Sequence, residues 1–164
     1  MNNESMNVAP VDEKLPVGKS LALALQHVLA MCAGAVAVPI IVGNAAGLSQ
    51  SDIVFLINAD LLIAGVATLI QTLGLGSKIG AKIPMVEGTS FATVSAMVAI
   101  ADSYKGDSLS AMTTIFGAVL IAGIFTFFMA PVFGKLLRFF PKVVTGTVVS
   151  IIGLSLIPVA VRWA

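Results

Sequence analysis

Five long apolar stretches separated by short polar connectors organise this chain: Leu21–Val42, Ile53–Leu75, Ile83–Ala101, Met112–Gly134 and Val143–Val161. Each holds between 19 and 23 residues. A helix rises about 1.5 Å per residue, so about 20 mainly apolar residues cross a bilayer core of about 30 Å. Membrane β-strands would be about ten residues long with strict alternation, and none of the five stretches alternates. The pattern predicts an all-α integral membrane architecture with five crossings.

The connectors fit that reading. Gly43–Asp52 carries Asn44, Ser49, Gln50 and Ser51; Gly76–Lys82 carries two glycines and two lysines; Asp102–Ala111 carries Lys105, Gly106 and Asp107. Lys135–Lys142 is basic and ends in Pro141-Lys142, a stop for one helix and a start for the next. Residues 1–18 form a polar tail that is expected to be disordered. The first apolar stretch is too long for a signal-peptide core, so no leader is expected to be removed.

Composition removes the soluble alternatives. Hydrophobic residues make up 58% of the 164 and charged residues 10%, against about a quarter charged in a soluble domain. A net charge of +1 gives no electrostatic case for nucleic acid, and one cysteine, Cys32, makes no disulfide framework. The charges speak to orientation instead. Lys14, Lys19, Lys78, Lys82, Lys135, Arg138 and Lys142 fall on one side of a five-span chain, and only Lys105 and Arg162 on the other. The positive-inside rule then puts the N-terminus in the cytoplasm.

Polar groups inside the spans each ask for a reason. Gln26 and His27 sit early in the first stretch, and His27 is the only histidine. It serves either as a packing hydrogen bond or as a donor or proton-sensitive group in a substrate path. Nothing nearby completes a metal site, and no cofactor is expected. Ala30, Ala33, Gly34 and Ala37 make a small-residue stripe suited to close helix approach, and Pro39 should bend the outer end. Asp60, seven residues into the second stretch, is a cation-coupling carboxylate or a structural acceptor that pairs with His27 or caps a broken backbone.

The third stretch opens Ile83-Pro84-Met85-Val86-Glu87-Gly88-Thr89-Ser90-Phe91. Proline, glycine, two β-branched residues and a charge all oppose a helix there. Only Phe91–Ala101 reads as helix, about 16 Å or half a bilayer. Irregular backbone at membrane depth is tolerated where it packs in protein or lines a cavity, a device that transporters use to bind substrate. The fourth and fifth stretches predict ordinary packing, with Phe125, Phe127 and Phe128 facing lipid or a gate, and with Thr145, Thr147 and Ser150 bonding back to their own helix.

The runs LPVGKSLALALQHVLAMCAGAVAVPIIVGNA, FLINADLLIAGVATLIQTLG, GAKIPMVEGTSFATVSAMVAI and PKVVTGTVVSIIGLSLIPV resemble successive helices of the nucleobase–ascorbate transporters (nucleobase:cation symporters). The bacterial xanthine and uric acid permeases are the group most like it. The resemblance runs from Leu15 to Val161. It implies fourteen helices in two inverted repeats, with residues 19–134 in a core domain and 135–164 beginning a gate domain. It also implies a homodimer in the cell inner or plasma membrane, moving a purine nucleobase with a proton or another cation. The third helix would open with a short strand facing its symmetry mate. His27 matches the histidine that supports the binding site, Phe91 the aromatic against the base, and Ser90 and Thr89 lie beside it. Glu87, Asp60 and Gln26 are candidates for coupling or structural roles. The family's binding carboxylate and signature stretch fall beyond Ala164, so the chain is expected to be the front third of such a carrier. A sulfate- or bicarbonate-type anion carrier of similar fold and a non-transporting membrane subunit are the competing readings. No triad, metal cluster or phosphate loop supports an enzyme.

Overall fold

The computed structural model describes residues 15–76, 79–136 and 140–163. Most of the N-terminal tail, together with Lys78 and Arg138 of the orientation argument, lies outside the described residues. The element order is α1 (Val17–Ala45), α2 (Gln50–Leu73), a 3-10 turn (Phe91–Thr93), α3 (Val94–Ser103), α4 (Ser108–Leu136) and α5 (Lys142–Trp163).

Local chemistry sets the helix ends. Ser49 caps α2: its Oγ accepts from the Asp52 N–H at 3.3 Å, and its hydroxyl donates to Asp52 Oδ2 at 2.6 Å. Gly74 closes α2 with φ +73°, a conformation that side chains resist, and donates to the Ile70 carbonyl. Asp107 caps α4 by accepting from the Ser110 N–H at 3.0 Å. Pro39, Pro131 and Pro158 lie inside α1, α4 and α5, each of which continues through its proline.

Among the described residues three helices, α1, α2 and α4, are long and apolar enough to cross a membrane. The third stretch does not form a single crossing. Residues 84–90 carry no helix, and α3 proper has ten residues, about 15 Å of rise. The helix begins later than Phe91 because Ser90 caps a 3-10 turn first, its Oγ accepting from the Ala92 N–H at 3.2 Å. The short strand implied at this opening is not formed among the described residues. A strand needs a neighbour's backbone, and side chains of α2 take that place.

The core gathers one face of each of three helices: Val38 and Val42 of α1 with Ala46 just after its end, Val94, Val98 and Ala101 of α3, and Ala111, Met112 and Ile115 of α4. Leu156 of α5 packs at its edge. The buried face of α1 runs through Ala35, Val38 and Val42; of the small-residue stripe, Ala30 is exposed and Gly34 and Ala37 are half-buried. Spacing alone could not decide this, because nearly every position of α1 is apolar. Away from the core the surface stays apolar: Leu21, Phe55, Phe127 and Phe128 are each at least 70% exposed. Such a surface suits hydrocarbon and not water. On α5, Thr147 and Ser150 donate to the carbonyls of Val143 and Gly146, as their spacing implied.

Candidate functional site

The unwound segment before α3 is held by one face of α2. Asp60, Ala64 and Thr68 lie four residues apart, so they stack along that face over about 12 Å. Ala64 is buried and small, which lets the segment's backbone come close. Thr68 Oγ1 accepts from the Glu87 N–H at 2.9 Å and its hydroxyl reaches the Glu87 carbonyl at 3.5 Å. Thr89 Oγ1 donates to Asp60 Oδ1 at 2.5 Å. The half-buried Glu87 backbone is thus satisfied by a side chain, as unwound backbone in hydrocarbon requires.

Helix α1 closes the other side. A Cβ on Gly88 would lie 3.1 Å from Met31 Cε, and one on Gly34 would lie 3.4 Å from Phe91 Cε2. Both glycines are sites of close approach, and Gly34 is where the Phe91 ring rests. Two cavities follow the α1–α2 pair. One of about 530 Å³ is lined by Val28, Met31, Cys32, Gly65, Thr68 and Val86. The other, of about 760 Å³, has Asp60 and Thr89 on its wall among Val38, Phe55, Met97 and Phe116.

The structure brings Asp60, Glu87, Thr89, Ser90 and Phe91 into one neighbourhood. Asp60 meets the unwound segment through the Thr89 side chain and caps none of its backbone groups. His27 is exposed on α1 and its Nδ1 donates to the Leu23 carbonyl of its own helix at 3.2 Å, so the pairing with Asp60 is not made. Gln26 is also exposed, and neither residue lines the two cavities. His27 stands one turn before Met31, the residue that meets Gly88. Thr68, which holds the Glu87 backbone, is the site position that sequence reasoning passed over. Its signal was present in the spacing, a hydroxyl eight residues after Asp60 with alanine midway. Among the described residues no three His, Cys, Asp or Glu side chains gather as a metal site.

Chemically, the site offers a helix start at membrane depth, an aromatic face and a carboxylate beside it. Helix N-termini present free N–H groups and positive dipole ends to polar ligand atoms.

A Permease family model matches residues 18–164. The uric acid transporter UacT of Escherichia coli is 44% identical over 94% of this chain. The uric acid permease PucJ of Bacillus subtilis is 47% identical over 88% of it, and the xanthine permease of Bacillus subtilis 44% over 88%. These matches cover 31%, 30% and 32% of the respective relatives, so the chain spans about a third of their length. No solved structure matches it significantly.

Proposed function

Because this chain belongs to the permease family whose model spans residues 18–164, we propose that it forms part of a purine nucleobase permease carrying xanthine or uric acid. The observation that carries the proposal is identity of 44–47% to uric acid and xanthine permeases over at least 88% of the chain. The geometry supports it. A purine is flat and aromatic and bears oxo and N–H groups, which suit the face of Phe91 and the backbone of the 3-10 turn it begins. Stacking of a base on an aromatic ring is worth about 1–3 kcal/mol.

In this reading Phe91 lies against the base, Ser90 and Thr89 flank it, and His27 approaches from α1 in the complete transporter. Transport is coupled to a proton or another cation. Residues 19–134 belong to the substrate-holding core and 135–164 begin the gate, with the transporter a homodimer in the cell inner or plasma membrane and its N-terminus cytoplasmic. The charge bias of the connectors supports that orientation.

The test is uptake by liposomes holding the complete transporter that contains this chain. Radiolabelled xanthine or uric acid should enter saturably and be displaced by the other purine but not by sulfate. His27→Ala should lower uptake or raise the apparent KM with the protein still in the membrane. Sulfate-sensitive uptake, or none of either purine, would sink the proposal.

A further inference from the structure

We propose that Asp60 is the carboxyl group that carries the coupling proton, and that it acts on the substrate site through Thr89. The inference rests on the permease reading above and assigns that reading's coupling to a residue outside the base contacts.

The two oxygens of Asp60 are unlike. Oδ1 accepts the Thr89 hydroxyl, whereas Oδ2 is buried and has no protein partner, the one such side-chain atom among the described residues. Buried polar atoms are nearly always paired, so a lone buried carboxylate oxygen calls for a hydrogen from elsewhere. A carboxyl group supplies one itself when it takes up a proton. Asp60 also stands with Thr89 on the wall of the larger cavity, of about 760 Å³.

Among the described residues, the elements around Asp60 place no cation on that cavity wall. On the cavity wall α1 contributes Val38 and Val42, α3 contributes Met97, and α4 contributes Met112 and Phe116. The other ionisable group on that wall is Asp52, two turns earlier on α2, where it is exposed and engaged with Ser49. From the unwound segment the near ionisable residue is Glu87, whose backbone is taken by Thr68. His27 of α1 bonds within its own helix.

The segment is thus anchored on α2 twice, and the anchors differ in kind. Thr68 and the Glu87 backbone do not titrate, so that end stays pinned at any pH. The Thr89–Asp60 bond is different, because an ionised acceptor makes a shorter bond, roughly twice as strong as a neutral one. Thr89 directly precedes Ser90 and Phe91. A proton taken from water on one side adds to Oδ2, loosens the hold on Thr89, and leaves the same carboxyl to water on the other side. No bond to the purine forms or breaks. Linkage makes the effect reciprocal: the proton alters purine affinity, and purine alters proton uptake by the same factor.

The experiment compares the complete transporter with its Asp60→Asn variant, which keeps the shape of the side chain and removes the titration. Radiolabelled xanthine and uric acid are the probes, and the readouts are KM against pH, accumulation down an imposed pH gradient, and exchange at equal pH. The unsubstituted protein should change KM with pH on the order of tenfold, within the usual range for coupled sites. Asp60→Asn should flatten that profile and lose accumulation while still exchanging purine. A pH profile and accumulation unchanged in Asp60→Asn would overturn the assignment. Where Asp60→Asn does not reach the membrane, Thr89→Val and Thr89→Ser decide. Serine should keep the pH profile and valine flatten it, and a normal profile in the valine variant would equally overturn the assignment. No purine uptake by the unsubstituted protein would instead defeat the permease reading itself.

Discussion

Glu87 and Thr68 are 19 residues apart, and the backbone of the first closes on the side chain of the second from both sides. The N–H of Glu87 donates to Thr68 Oγ1 at 2.9 Å while the hydroxyl reaches the Glu87 carbonyl at 3.5 Å. One threonine thus does for this peptide what a neighbouring strand would do in a sheet. Thr68→Val retains the shape and removes both bonds. It should destabilise the protein in detergent by about 1–3 kcal/mol, the cost of a half-buried N–H left unpaired, while Thr68→Ser should not. Thermal melting of the two variants side by side is the check, and equal melting temperatures would count against the contact.

The seat of the Phe91 ring depends on the missing side chain at Gly34. A Cβ there already reaches ordinary contact distance of Cε2, so a longer side chain must displace the ring. Gly34→Leu should therefore raise the KM for purine in the complete transporter. Phe91→Ala should weaken binding by about 1–3 kcal/mol if the ring stacks on the base. Unchanged KM in both variants would reduce the pair to packing.

Orientation is testable by cysteine labelling of intact cells. Probes at Ser51 and Lys105, in connectors placed outside by the positive-inside rule, should react with an impermeant reagent. A probe at Lys82 should not. Labelling at Lys82 alone would invert the topology.

Asp107 gives a pH dependence at the exposed end of the bundle. Hydrogen bonds from the Ser110 side chain and then its backbone hold the Asp107 carboxyl below the usual carboxylate range. A group with a lowered folded pKa stabilises the fold above its unfolded pKa and loses that contribution as pH falls through the folded value. The melting temperature of Asp107→Ala should lie below that of the unsubstituted protein at neutral pH. The gap should close under strong acid. A gap that widens on acidification would contradict the cap.

Hydropathy, charge placement and backbone propensity are properties of single residues and short runs. They were enough to determine the long helices, the break over 84–90 and the candidate neighbourhood of Glu87 to Phe91. Which partners those groups take is a matter of distances between elements, and only the packing of the unwound segment against α1 and α2 decided it. His27 and Asp60 could not be assigned by periodicity, since in a helix apolar on all sides no face announces itself as inward. His27 stays on the exposed side of α1 with the Leu23 carbonyl of its own helix, whereas packing brought Thr89 to Asp60. It also gave Thr68, an unremarked hydroxyl in an apolar run, the backbone of Glu87 to hold. An unwound segment must have its N–H and C=O groups satisfied in hydrocarbon, and the residues that satisfy them are those the fold places within reach.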